Sequence, residues 1–110
     1  MSAPEVRIES PHAEEQFRGA PREVQDALRR QARALSHDPQ HGTFVALSRV
    51  PKETVRRWQA RVGAMQNLWK LDLPQGWRAL YTVGSEGPLR VVIVLEVVRH
   101  KDYERLLGYK

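Results

Sequence analysis

The stretch that decides the fold is Leu68-Trp69-Lys70-Leu71-Asp72-Leu73, Pro74-Gln75-Gly76, Trp77-Arg78-Ala79-Leu80-Tyr81-Thr82-Val83. Here the hydrophobic period changes from 3.6 to 2. Two runs of aliphatic and aromatic residues flank a Pro-Gln-Gly turn signal. A third run, residues 89–98, follows Gly84-Ser85-Glu86-Gly87-Pro88. The three runs read as strands of an antiparallel meander. Pairing Leu73 with Trp77, and Val83 with Leu89 across a five-residue turn, sorts the side chains by parity. Trp69, Leu71, Trp77, Ala79, Tyr81, Val91, Ile93 and Leu95 share an apolar face that should receive helices. Lys70, Asp72, Arg78, Leu80, Thr82, Arg90, Val92, Val94 and Glu96 share the other. That second face is expected to stay open, with Leu80, Val92 and Val94 as an apolar floor inside a cationic rim.

Helices are expected upstream. Val6-Arg7-Ile8 alternates and suggests a first strand. Ser10 before Pro11 looks like an N-cap for a short helix reaching Phe17. Ala20-Pro21 restarts a second helix, whose Val24, Ala27, Leu28, Ala32 and Leu35 lie on one side. Asp38-Pro39 ends it. Residues 40–50 are ambiguous between extended and helical. After Pro51, Val55, Trp58 and Val62 mark an amphipathic helix that Gly63 stops. Residues 100–107 suit a short terminal helix. The whole is an α+β domain over residues 1–110: an N-terminal strand and helical hairpin packed on one face of a small, mainly antiparallel sheet.

Composition narrows the function. The 110 residues contain no cysteine, which removes disulfides, thiol nucleophiles and Cys-ligated zinc. That usage fits a reducing cytosol. No apolar run approaches the roughly 18–20 residues that span a bilayer. The start, Met1-Ser2-Ala3-Pro4-Glu5, lacks the basic and apolar regions of a signal peptide. A cytoplasmic protein without a membrane partner is therefore expected. The net charge of +5 is uneven, since residues 49–70 carry six cations against Glu53 alone. Arg49, Lys52, Arg56, Arg57 and Arg61, with Arg90 on the sheet, suit a polyanion such as RNA. A solvated basic helix accounts for the same charges equally well.

No phosphate-cradling glycine loop and no helical His pair with metal-ligand spacing is present. His37, Asp38 and His41 lack a further ligand nearby, so neither a metal nor a cofactor is expected. The better constellation is Lys70 and Arg78 on neighbouring strands, with His100, Lys101 and Tyr103 just beyond the third. A guanidinium binds phosphate and stabilises a phosphorane, and histidine transfers protons near neutrality. Those groups suffice for metal-free RNA cleavage by the 2′-hydroxyl. Arg78 can equally pair with Asp72, its cross-strand neighbour. Glu96, His100 and Lys101 remain open as the general base.

The run from Asn67 to Val83, with its Gly76-Trp77-Arg78-Ala79-Leu80-Tyr81, resembles the RelE/ParE toxin superfamily. So does the run from Val94 to Tyr103, with its His100-Lys101-Asp102-Tyr103. The resemblance covers nearly the whole chain and implies the toxin of a type II toxin–antitoxin pair. RelE-like members are metal-independent endoribonucleases that cut mRNA on the ribosome. The resemblance then implies Arg78 as phosphate ligand, with Lys70, His100, Lys101 and Tyr103 as further catalytic residues. It also implies an antitoxin partner, which the floor of Leu80, Val92 and Val94 would receive. Asp72 stands where some members carry a second lysine, and His100 lies closer to Tyr103 than in many. ParE-like members share the fold, lack the nuclease residues and inhibit gyrase. A degenerate RNA-binding member is the remaining alternative.

Overall fold

The computed structural model describes residues 5–108. The reading of Met1 to Pro4 as lacking a signal peptide lies outside them. Strand β1 (Glu5–Ile8) leads into helices α1 (His12–Gly19) and α2 (Arg22–His37). A three-residue strand β2 (Thr43–Val45) and a 3-10 turn (Leu47–Arg49) precede α3 (Lys52–Val62). Then come β3 (Leu68–Asp72), β4 (Trp77–Glu86), β5 (Leu89–Arg99) and α4 (His100–Leu106). The five strands form one sheet in the order β1-β5-β4-β3-β2. β1 runs parallel to β5, and every other pairing is antiparallel. The ambiguous residues 40–50 thus supply an edge strand, with Phe44 beside Trp69.

Local chemistry explains the helices. Pro21 and Pro51 stand immediately before α2 and α3 with φ of −55° and −54°. Val24, Ala27, Leu28 and Leu35 fall on one side of α2 and are all buried. Gly63 closes α3 at φ +87°, a conformation that costs glycine little. Ser10 does not cap α1. Pro11 takes the N-cap position and no side chain bonds there, which leaves Ser10 one residue too early. The carboxylate of Glu9 accepts the Ala13 N–H at 3.2 Å instead.

The expected open face is covered, for two reasons. Leu73 does meet Trp77, as the Pro-Gln-Gly turn requires. At the other end, however, Glu86 pairs with Leu89 around a two-residue Gly87-Pro88 turn. Glycine at φ +60° followed by proline is the signature of a tight II′ hairpin. The shorter turn pairs Val83 with Val92 and Tyr81 with Val94, and this inverts the expected parity of early β5. A β-bulge then shifts the register, so that Leu80 faces Glu96 and Arg78 faces Val98. Val92 and Val94 therefore lie in the α1–α2 core with Leu71, Ala79 and Tyr81. Ile93 and Leu95 go to the opposite core, with Leu80, Trp58, Val98 and Tyr103 beneath α3 and α4. Leu80, Val92 and Val94 are 0%, 0% and 1% exposed, so they form no floor for a partner.

Tyr81 joins the sheet to the loop after α2. Its hydroxyl donates to the Pro39 carbonyl and accepts the Gly42 N–H, both at 2.9 Å. Burial raises its pKa and keeps that donor in place. A Cβ on Gly42 would overlap the Lys70 carbonyl oxygen and come within 2.7 Å of the Tyr81 hydroxyl. Gly42→Ala is expected to cost about 1–3 kcal/mol of stability. A urea unfolding midpoint unchanged from wild type would refute that close approach.

Candidate functional site

The β3–β4 hairpin places Arg78 directly opposite Asp72. The Arg78 Nε lies 3.3 Å from the Asp72 carboxylate, and the guanidinium carbon sits 4.5 Å above the centre of the Tyr103 ring. Such stacking fixes a planar cation against an aromatic face. Lys70 approaches the same ring, with Nζ 5.8 Å from its centre. His100 stacks on it from α4, at 6.3 Å between centroids and 20° between planes. Three of the expected catalytic residues therefore gather around a fourth, Tyr103. Tyr103 itself is 4% exposed and roots the cluster in the core beneath α3 and α4. Glu104 contacts the Nε2 of His100 from the next turn. Asp72, Trp77, Arg78 and His100 line an open depression of about 350 Å³. Lys101 is the fifth residue; it is exposed on the first turn of α4, and among the described residues it has no hydrogen bond or ion pair to the cluster.

The Arg78–Asp72 contact is the pairing that strand alternation allowed. Asp72 is 72% exposed, and an ion pair so open contributes about 0–1 kcal/mol. A phosphate can compete for that guanidinium at small cost.

The expected RNA-binding residues divide. Arg56 and Arg57 flank a shallow groove on the outer side of α3. Arg49 and Lys52 are exposed just before and at the start of α3. Arg61 turns inward: its Nε is 3.0 Å from Glu9 and its Nη2 is 3.1 Å from Glu96. Arg90 pairs with Ser85 at the far hairpin, next to the turn and away from the β5–α4 junction. At residues 37–41, His41 lies 2.8 Å from Gln31 and the Asp38 carboxylate accepts the Gln40 N–H at 3.0 Å.

The main polar feature that the sequence did not reveal is the surrounding of Glu96, which is 3% exposed. One carboxylate oxygen takes His12 Nε2 at 2.9 Å and Gln16 Nε2 at 2.8 Å. The other takes Trp58 Nε1 at 2.8 Å and Arg61 Nη2 at 3.1 Å. Gln16 also accepts the Val97 N–H at 2.8 Å. The signal was a lone Glu within the apolar run Val91 to Val98, a position where a carboxylate must find donors.

Burial by itself raises the pKa of Glu96. Hydrogen bonds from His12, Trp58 and Gln16, with the charge of His12, outweigh it and leave the group below its ordinary value of 4.5. A pKa lower in the folded than in the unfolded chain stabilises the fold above the unfolded value. That contribution disappears as pH falls through the folded value. Acidification below about pH 4.5 should therefore weaken the wild-type fold. Glu96→Gln should be less stable at neutral pH, by about 1–3 kcal/mol, with a flatter acid limb. Urea midpoints measured against pH test this, and parallel acid limbs would refute it.

No protein-family model matches the chain, and no curated protein matches it. Among solved structures, it is similar to the E. coli toxin RelE, determined in the free state as a mutant with two arginines replaced by alanine. The similarity covers 96% of each chain at a TM-score of 0.60 and 15% sequence identity. An identity that low speaks for architecture: the chain has the RelE fold.

Proposed function

We propose that this chain is the toxin of a type II toxin–antitoxin pair, a metal-independent endoribonuclease that cuts mRNA on the ribosome. The observation that carries the reading is the Arg78 guanidinium, stacked on Tyr103 in an open depression beside His100 and Lys70. The RelE fold supports it. In this mechanism the ribose 2′-hydroxyl attacks the adjacent phosphorus and the P–O5′ bond breaks. Arg78 binds the phosphate and takes up the charge that develops on the phosphorane. His100 transfers protons, steadied by Glu104. Lys70 and Lys101 add positive charge, and Tyr103 holds the guanidinium in plane. Glu96 leaves the set of candidate bases, because its oxygens are buried and already accept four donors.

Residues 1–110 then form one toxin domain acting in the cytoplasm. Its protein partner is a cognate antitoxin, and an acidic segment laid over Lys70 and Arg78 would mask the site. Arg49, Lys52, Arg56 and Arg57 supply charge toward ribosomal RNA. One observation favours a second reading, a degenerate RNA-binding member: Asp72 already engages Arg78.

Expression in a bacterial host separates the two readings. The toxin reading expects growth arrest with cleaved mRNA. Arg78→Ala should lower cleavage by about 10²–10³-fold. Arrest that survives Arg78→Ala with intact mRNA would overturn it. In the second reading the wild-type chain cuts nothing, and Asp72→Asn gains cleavage.

A further inference from the structure

A second depression, about 330 Å³, opens on the other side of α4 from Arg78. His12, Arg57, Arg61, Glu96, Asp102 and Arg105 supply its charged and titratable lining. What a ligand meets there follows from hydrogen-bond accounting. The oxygens of Glu96 are filled by His12, Gln16, Trp58 and Arg61. Glu9, behind it, accepts the Ala13 N–H and pairs with Arg61, although its Oε1 makes no hydrogen bond. Glu9 lies outside the lining, so the buried carboxylate that lines the cleft, Glu96, has both oxygens engaged. Donors remain. Arg61 commits Nε and Nη2, and its Nη1 has no partner among the described residues. Arg57 makes one long contact to Thr54, at 3.4 Å. Among the described residues, Arg105 is held only by Asp102, at 3.9 Å. Asp102 is the one uncommitted acceptor in the lining, and its contacts to Arg99 and Arg105 are both loose.

We infer that this cleft is a phosphate-binding site, separate from the Arg78 cluster. Arg57 and Arg105 close on the anion from α3 and α4. Arg61 presents Nη1 from a base held rigid by Glu9 and Glu96. The fixed guanidinium matters because a cation already ordered loses little entropy when it binds. Arg57 also lines a shallow groove on α3 with Glu53, Arg56 and Ala60. A phosphodiester strand can therefore meet Arg56 as well as the cleft, and a small phosphate compound can occupy the cleft donors alone. The inference does not depend on cleavage at Arg78.

The tryptophans supply the readout. The Trp58 indole N–H lies in the cleft, bonded to Glu96, whereas Trp77 lines the Arg78 depression. Indole ¹H–¹⁵N resonances of the full-length protein are followed during titration with inorganic phosphate and, separately, with a short oligouridylate. The Trp58 resonance is expected to shift, and to shift equally in Arg78→Ala. The Arg57→Ala/Arg105→Ala double variant should bind roughly tenfold more weakly. Its log–log salt slope for oligouridylate should shrink by about 0.7 per lost contact. Arg57 and Arg105 are exposed, whereas Arg78 is partly buried against Tyr103, and urea midpoints check that both variants fold. A shift with oligouridylate alone assigns the site to an RNA strand, and a shift with phosphate alone assigns it to a small phosphate compound. No Trp58 shift with either probe overturns the inference. So does a shift that Arg78→Ala abolishes, or one that the double variant leaves intact.

Discussion

One desolvated carboxylate holds the two helical layers to the sheet. Glu96 sits in the central part of β5 and bonds to His12 and Gln16 of α1 and to Trp58 and Arg61 of α3. Removing one partner of such a buried charge costs about 3–5 kcal/mol, because the remaining groups are left without compensation. Arg61 extends the network to Glu9, whose carboxylate also holds the start of α1. The β-bulge makes this possible. Strict alternation after Val94 would turn Glu96 toward the α1–α2 core. Leu95 joins the opposite core by simple alternation, and the extra residue lets Glu96 reach Trp58 and Arg61 on that same side.

Helix α4 works as a divider. It begins directly where β5 ends, so its residues fall to either side of the sheet's last turn. His100 faces the Arg78 depression, while Asp102 and Arg105 face the Glu96 cleft. Tyr103 and Leu107 anchor the divider in the core with Leu80 and Val98. The two depressions differ in what fixes their cations. Arg78 is fixed mainly by an aromatic face and an exposed carboxylate, and Arg61 by two buried carboxylates. The first arrangement leaves a guanidinium free to change partners, and the second makes it a rigid part of the wall.

The elements themselves were legible in the sequence. Pro21 and Pro51 marked the starts of α2 and α3, Gly63 marked a stop, and the change of period at Leu68 marked the sheet. The gathering of Lys70, Arg78, His100 and Tyr103 was legible too. It depends on the short β3–β4 turn and on the immediate β5–α4 junction, both of which are local. The open apolar floor was misread because it depended on the β4–β5 register. Five turn-forming residues in a row, Gly84 to Pro88, do not say how many of them turn. Only Gly87 and Pro88 do, and the difference of three residues inverts a strand.

By itself, the sequence determined the α+β class, the positions of the helices and of every strand but the edge strand β2, and the placing of Arg78 opposite Asp72. These follow from turn chemistry, capping and side-chain alternation, which act over a few residues. Only the tertiary structure decided that both sheet faces are covered. It alone decided that Arg61 belongs to a buried network rather than a basic surface, and that Glu96 is a structural hub. Those outcomes rest on a bulge and on contacts between residues dozens of positions apart, such as Trp58 with Glu96 and Arg61 with Glu9. No local pattern encodes them, because the desolvation of a carboxylate depends on everything that packs around it.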